Sequence, residues 1–99
     1  MVNQMFILKL KYSKPTEEVD KVLESHLKYL EKYCSLQKFI CCGRLNPRTG
    51  GVIICNAKNR EEVEALIKED PFYIEEIGEY EIIEFLPVMY ADGFEEYIK

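Results

Sequence analysis

The sequence predicts an α+β fold in which two helices cover one face of a four-stranded antiparallel sheet. A length of 99 residues is typical of a single domain. Segments of β-favouring residues and segments with helical apolar spacing follow in the order strand, helix, strand, strand, helix, strand. Right-handed crossovers in the two βαβ halves place both helices on the same side of the sheet. The expected architecture is a ferredoxin-like βαββαβ sandwich, one domain over residues 1–99.

The first half of the chain supplies one strand and the longer helix. Residues 5–12 favour β structure, and apolar and charged residues alternate in their second half. Pro15 interrupts this strand, and apolar residues then recur at helical spacing from residue 16 to about residue 33. Glu17 and Glu18 favour the start of this helix because a helix N-terminus carries partial positive charge. The predicted apolar stripe consists of Val19, Val22, Leu23, Leu27, Leu30 and Tyr33.

The second half supplies a hairpin, a shorter helix and the last strand. Residues 38–43 and 51–56 are short apolar segments separated by a loop that contains Asn, Pro and Gly. Asn59 followed by Glu62 resembles a capping box for the second helix, which Pro71 should end. The remaining predicted elements are a further turn of helix at residues 72–77, a strand at residues 80–88 and an aromatic tail from Gly93.

The strands carry apolar residues on both faces of the predicted sheet. Met5 and Ile7 alternate with Phe6 and Leu8, and the other strands show the same double pattern. Helices cover only one face in this topology, so a monomer would expose an apolar patch larger than soluble proteins normally carry. We therefore predict a homodimer packed through the sheet faces, with residues 88–99 a candidate to pack on the partner subunit.

Composition and charge exclude several classes of partner. Thirteen Lys and Arg against eighteen Asp and Glu give a net charge of −5, which disfavours nucleic acid and anionic membranes. No apolar run approaches the roughly 20 residues of a membrane helix, and residues 1–10 lack the pattern of an export leader. The four cysteines lack the paired spacing of a zinc site. We expect a cytoplasmic protein with reduced thiols and no metal.

The single histidine and one aspartate occupy matching places on the two helices. His26 follows Val19 by seven residues, and Asp70 follows Val63 by seven, so both polar residues point along an apolar stripe. An inward carboxylate is costly unless it is paired, and an imidazole is a suitable partner. The pair would fix the imidazole tautomer and leave the second ring nitrogen as a general acid or base.

Simpler explanations exist for both residues. An inward histidine is commonly a core residue with satisfied hydrogen bonds, and Asp70 before Pro71 is suited to ending a helix through local hydrogen bonds. The spacing also leaves open whether the two side chains touch directly or bind a water or ligand between them.

The hairpin loop holds residues suited to an anionic ligand. Arg44 and Arg48 are two of the three arginines, and the planar guanidinium binds carboxylates and phosphates well. Thr49 lies beside them, next to two glycines that permit close backbone approach. A rigid turn with solvated charges explains the same residues without a ligand. The tyrosines that could supply a phenol are Tyr12, Tyr29, Tyr73, Tyr80 and Tyr90, and the sequence does not choose among them.

The chain resembles the YciI-like (YCII-related) family over nearly its whole length. The resemblance rests on the first strand, Lys14 to Asp20, His26, Cys42 and Gly43, Pro47 to Gly51, Asp70 to Phe72, and Tyr80 to Pro87. It implies a dimeric α+β barrel of two ferredoxin-like subunits, with His26 and Asp70 at the positions of the family's active-site pair. One relative is an elimination enzyme of chlorinated-aromatic degradation, and the wider superfamily includes lactone isomerases and cofactor-free oxygenases. Members often carry Ser or Ala, Gly, Pro before the loop, where this chain has Cys42, Gly43 and Arg44.

These observations predict a small-molecule enzyme of the isomerase or lyase type without a cofactor. His26, oriented by Asp70, would move a proton on a small organic molecule, and an arginine would bind a negative charge on it. The expected substrate-binding residues are Arg44, Arg48, Thr49, Gly43 and Phe72. The alternatives are a non-catalytic ligand-binding or interaction module, and haem binding with His26 as axial ligand. RNA binding is disfavoured because the charge has the wrong sign and the aromatic stacking signature is absent.

Overall fold

The computed structural model describes residues 4–98 and has the predicted order of elements. The elements are β1 (Gln4–Tyr12), α1 (Thr16–Ser35), β2 (Phe39–Arg44), β3 (Gly50–Ala57), α2 (Arg60–Lys68), α3 (Pro71–Ile74), β4 (Gly78–Phe85) and a 3-10 helix (Phe94–Tyr97). The strands pair antiparallel in the order β2-β3-β1-β4. This is the ferredoxin-like arrangement, in which β1 and β3 form the centre of the sheet.

The main hydrophobic core lies between the sheet and the two longer helices. Phe6 and Leu8 of β1 pack in one cluster with Tyr29 of α1 and Leu66 of α2. Both helices therefore cover the same sheet face, as the crossover rule requires. A second, smaller cluster around Phe72 lies at the other end of the sheet. Its other buried members are Leu10, Val19 and Ile77.

Helix α1 buries a different set of residues from the predicted stripe. Val19, His26, Tyr29 and Tyr33 are its buried residues. The prediction was wrong for Leu27, which is 53% exposed. Leu27 follows His26 directly and is therefore rotated from it by about 100° around the helix, away from the centre of the packed face.

Local hydrogen bonds explain where α2 begins. The Asn59 side chain accepts a hydrogen bond from the backbone N–H of Glu62 at 2.9 Å, as the sequence predicts for the cap. The reciprocal half of the capping box is absent, because Glu62 instead accepts from the backbone N–H of Lys58 and from the Lys38 ammonium. The carboxylate thus links the start of α2 to the segment before β2.

Two segments predicted in the second half of the chain have other bounds in the structure. Strand β4 ends at Phe85 rather than at residue 88, where Pro87 has no N–H to donate to a neighbouring strand. The helical turn at residues 72–77 is the shorter α3, which begins at Pro71. The prediction of one domain over residues 1–99 includes residues 1–3 and 99, which lie outside the described part of the chain.

The outer face of the sheet remains uncovered in part. Ile83 is 39% exposed and Phe85 is 41% exposed. Ile83 lies directly opposite Ile7 in the pairing of β1 with β4, so these apolar side chains are on the face away from the helices. No helix within residues 4–98 is long and apolar enough to cross a membrane.

Candidate active site

His26 and Asp70 are in direct contact inside the protein. The imidazole Nδ1 lies 2.7 Å from Asp70 Oδ1, although the two residues are 44 positions apart in the sequence. His26 is 9% exposed and Asp70 is fully buried. Helix α1 supplies the imidazole, and the connection between α2 and α3 supplies the carboxylate. The structure therefore brings together the two residues that the helical spacing singled out.

The Asp70 carboxylate accepts hydrogen bonds from three donors. Oδ1 accepts from His26 and from the backbone N–H of Phe72 at 2.9 Å, and Oδ2 accepts from the Tyr80 hydroxyl. The bond to Phe72 makes Asp70 the N-cap of α3, with Pro71 at the first helical position. Asp70 thus has the local role that ends and restarts the helix as well as the contact with the imidazole. Three donors compensate the cost of burying a carboxylate.

Tyr80 is a residue of this cluster that the sequence did not single out. Burial raises the pKa of its phenol, and the negative charge of Asp70 raises it further. The phenol therefore stays protonated and acts as a donor that holds the carboxylate in place. Strand register contains a signal for it: Tyr80 and Ile82 lie opposite Leu10 and Leu8, on the strand face that packs against the helices.

The imidazole ring stacks on the ring of Phe72 and lines a cavity. Its centroid is 3.7 Å from that of Phe72, and the ring planes are only 5° apart. Because Asp70 accepts on Oδ1, the hydrogen bond favours the tautomer with its proton on Nδ1. The second nitrogen, Nε2, has no hydrogen-bond partner within residues 4–98. It is the ring atom left to exchange a proton with a ligand.

The cavity has the size of a small-molecule site. It encloses about 650 Å³ between α1, the sheet and the β2–β3 loop, which lies within the range of known ligand pockets. Its wall is largely apolar, and the imidazole and the Tyr80 phenol belong to it. The aliphatic and phenylalanine side chains of the wall are Leu10, Leu23, Leu27, Leu30, Val52, Ile53 and Phe72. A bound molecule would therefore contact mainly apolar side chains.

Charged residues form the rim of the cavity. Arg48 in the β2–β3 loop donates to Asp20 of α1 at 2.5 Å, so its charge is already paired. Arg44 also lines the cavity and makes no ion pair with any residue in the range 4–98. Gly43 lines the cavity. The Thr49 hydroxyl instead donates to the Pro47 carbonyl oxygen within the loop, at 3.4 Å. Of the five expected binding residues, the structure places Gly43, Arg44, Arg48 and Phe72 at the cavity.

Thr49 has a structural position in the loop. Its carbonyl oxygen accepts a hydrogen bond from the backbone N–H of Tyr12 at 2.9 Å. The next residue, Gly50, lies so close to β1 that a Cβ atom there would be 1.8 Å from the carbonyl oxygen of Leu10. This close approach fixes the loop that carries Arg48 against the end of β1.

Metal-ligating side chains do not cluster at this site. Among the residues that the structure describes, no three of His, Cys, Asp and Glu are arranged to hold a metal ion. The chemistry that the arrangement offers is proton transfer at Nε2 beside an apolar cavity whose charged residues are Arg44, Arg48, Asp20 and Glu31.

Comparison with known proteins gives a family and a fold. The model of the YCII-related domain matches residues 5–86. A solved structure, the 5-chloro-2-hydroxyhydroquinone dehydrochlorinase of Burkholderia phenoliruptrix in complex with 2,5-dihydroxybenzoquinone, is similar with a TM-score of 0.71. The two chains are 21% identical, and the match covers 82% of this chain and 92% of the other. No curated protein sequence matches significantly.

Proposed function

The chain belongs to the YCII-related domain family, and we propose from this premise that it is a small-molecule enzyme of the isomerase or lyase type. His26 is the general acid and base, and Asp70 orients it. The observation that carries the proposal is the 2.7 Å hydrogen bond between Nδ1 and Oδ1, which leaves Nε2 of a cavity-lining imidazole without a partner among the described residues. The enzymatic role also agrees with the dehydrochlorinase activity in the name of the similar structure.

In the proposed reaction, Nε2 removes a proton from a carbon or oxygen atom of the substrate. The negative charge of Asp70 stabilises the imidazolium that forms, and the parallel ring of Phe72 keeps the imidazole in its orientation. Return of the proton to a different atom completes an isomerisation. Departure of a leaving group with its bonding electrons from the deprotonated substrate completes an elimination. Neither course requires a cofactor.

The cavity favours a small, flat and mainly apolar substrate with one negative charge. Its wall includes leucine, valine, isoleucine and phenylalanine side chains, which bind hydrocarbon surface. Arg44 is the rim cation without an ion pair to residues 4–98, so we assign it the binding of the charge. Arg48 contributes when the ligand replaces Asp20 as its ionic partner. Gly43 and Phe72 complete the surface that contacts the ligand.

A substrate panel in deuterium oxide tests this function. The panel contains small hydroxylated and enolisable ring compounds, including 5-chloro-2-hydroxyhydroquinone. Mass spectrometry of the compound detects deuterium uptake from reversible proton transfer, and an ion-selective electrode detects chloride release. We expect turnover of at least one member. His26→Gln, which keeps a polar side chain of similar length, should lower kcat by about 10²- to 10⁴-fold.

Lys28→Gln is the matched control, because Lys28 lies two residues further along α1, its side chain is exposed, and the same amide is introduced. It should leave kcat unchanged. Undiminished turnover in His26→Gln would contradict the role of the imidazole. If the folded protein turns over no member but binds 2,5-dihydroxybenzoquinone, the result supports the ligand-binding module instead.

We also propose that the active form is a homodimer joined through the outer sheet face. The exposed Ile83 and Phe85 beside Ile7 support this pairing, since they leave large apolar side chains in contact with water. Light scattering coupled to gel filtration should give twice the chain mass for the wild type, and Ile83→Glu should shift it toward one chain mass. A monomeric wild type would contradict the dimer.

The four cysteines without disulfides suit a reducing compartment such as the cytoplasm.

A further inference from the structure

Two cysteines face each other in the wall of the cavity, away from the proposed proton-transfer residues. The Sγ atoms of Cys34 and Cys42 are 3.8 Å apart, and both residues are half-buried and line the cavity. Cys34 lies eight residues after His26 on α1, which places it about 12 Å further along the helix axis at 1.5 Å per residue. The proposed reaction uses neither thiol.

The chain geometry suits a covalent link between these two side chains. Cys34 is in the last turn of α1 and Cys42 is in β2, and the two elements are joined by the short segment 36–38. A disulfide requires an S–S distance of about 2.0 Å. Each sulfur would therefore have to move by about 1 Å, which a small change in the side-chain torsions can supply.

We propose that Cys34 and Cys42 form a reversible dithiol–disulfide pair that ties the end of α1 to β2 at one end of the cavity. The pair is independent of the proposed proton transfer and is tested separately from it. Burial and the contact with Cys34 raise the pKa of the Cys42 thiol to about 12. The two redox states of the pair, the dithiol and the disulfide, are both neutral, so neither places a charge in the apolar wall.

The oxidant is a small-molecule disulfide such as glutathione disulfide. The thiolate of one cysteine attacks a sulfur of the oxidant, forms a mixed disulfide and releases one glutathione thiolate. The second cysteine thiolate then attacks the protein sulfur of the mixed disulfide and releases the other glutathione. In total, the protein loses two hydrogen atoms and one glutathione disulfide becomes two glutathione molecules. Because the Cys42 thiol is rarely ionised near neutral pH, this exchange should be slow and must be followed to equilibrium.

Peptide mapping provides a direct test on the intact protein. Lys38 lies between the two cysteines, so trypsin places Cys34 and Cys42 on different peptides unless a disulfide joins them. After equilibration with glutathione disulfide and alkylation of the remaining thiols, we expect a linked peptide pair that dithiothreitol separates. Absence of that pair from folded protein would overturn the proposal.

Cys41 provides the matched control for the assignment. It is next to Cys42 on the same tryptic peptide, but it is exposed, and neighbouring side chains of a strand point to opposite faces. Cys41→Ser should still give the linked peptides, whereas Cys42→Ser should not. The opposite result, with the link lost in Cys41→Ser and kept in Cys42→Ser, would overturn the assignment.

Two further measurements do not depend on peptide mapping, and the first also needs no oxidation of the protein. Phenylarsine oxide bridges two close thiols with the release of one water, so it should bind Cys41→Ser and fail to bind Cys42→Ser. Hydrogen exchange reports the effect on the fold: the Leu36 and Gln37 amides donate to Lys32 and Cys34 carbonyls at the end of α1. Their exchange should slow at least about threefold in the oxidised wild type. Unchanged exchange would contradict the link between α1 and β2.

Discussion

The two polar regions of the cavity are held in place by different means. In the buried region, Asp70 is excluded from water and accepts from His26, Phe72 and Tyr80. At the rim, the Arg48 side chain is 27% exposed. Its partner Asp20 is 56% exposed. One region is a closed hydrogen-bond network, and the other is a surface ion pair.

This difference separates reaction geometry from ligand selection. A hydrogen bond between buried groups is costly to break, because the group left behind has no water to replace its partner. Exposed charges are screened by salt and are re-solvated when their partner leaves. Changes in the buried region should therefore affect stability and turnover together, whereas changes at the rim should affect mainly the affinity for charged ligands.

The largest effect is expected from Asp70→Ala. It removes the acceptor from three buried donors and leaves α3 without its cap, so we expect the free energy of unfolding to fall by about 3 to 5 kcal/mol in urea titrations. Asp70→Asn keeps the shape and an acceptor oxygen, and should retain most of the stability. In Asp70→Asn, the ¹⁵N signals of the His26 ring should show a smaller fraction of the tautomer protonated on Nδ1. Equal stability of the Ala variant and the wild type would contradict the importance of the network.

A change at the base of the rim loop should have the next largest effect. An alanine Cβ at Gly50 would collide with the backbone of Leu10, so Gly50→Ala should cost about 1 to 3 kcal/mol of stability as β3 moves away from β1. Gly43→Ala is the matched control, since a Cβ atom there meets nothing within 4 Å. It should change stability by less than about 0.5 kcal/mol. Equal losses in the two variants would show that the close contact is not what fixes the loop.

Tyr80→Phe tests the buried network through its pH dependence. Burial and the charge of Asp70 raise the pKa of the folded-state phenol above its ordinary value of 10.0. The stabilisation is complete below pH 10 and is lost as pH rises further, because only the unfolded chain then releases the proton. Above pH 10, Tyr80 should lower the free energy of unfolding by up to about 1.4 kcal/mol per pH unit. Urea titrations between about pH 9 and pH 11 should show a shallower decline in Tyr80→Phe.

At neutral pH the same variant leaves Asp70 Oδ2 without its donor. We expect a loss of about 1 to 2 kcal/mol in the free energy of unfolding. Parallel stability curves for wild type and Tyr80→Phe above pH 10 would mean that the phenol is not shielded in the folded protein.

The smallest effects on stability are expected at the rim. Arg44→Ala and Arg48→Ala should unfold at urea concentrations indistinguishable from wild type, because exposed charges contribute little. Arg44→Ala should weaken the binding of an anionic ligand by about three- to tenfold at low salt. Arg48→Ala should weaken it less, because Asp20 already neutralises that charge. Calorimetric titration with 2,5-dihydroxybenzoquinone at two salt concentrations measures the difference, and a larger loss in Arg48→Ala would reverse the assignment.

Local sequence patterns predicted most of the secondary structure. Strand β1, helix α1 and the hairpin follow from alternating and helical spacing, and Asn59 correctly marks the start of α2. Two errors have different causes. Strand β4 ends early at Phe85, ahead of Pro87, which has no N–H to donate to a neighbouring strand. Leu27 lies beside the cavity instead of in the packed face, because the surrounding elements and not its apolar character set its position.

Sequence patterns were enough to predict the order of the elements and the inward direction of His26 and Asp70. These are local properties, because spacing along a helix or strand decides which side chains share a face. Packing of the whole chain brings the imidazole and the carboxylate into contact, adds Tyr80 to them, and brings Cys34 and Cys42 together in the cavity wall. Such contacts depend on how far each helix is shifted along the sheet. Ångström-scale shifts are set by the packing of the whole core, which no local spacing contains.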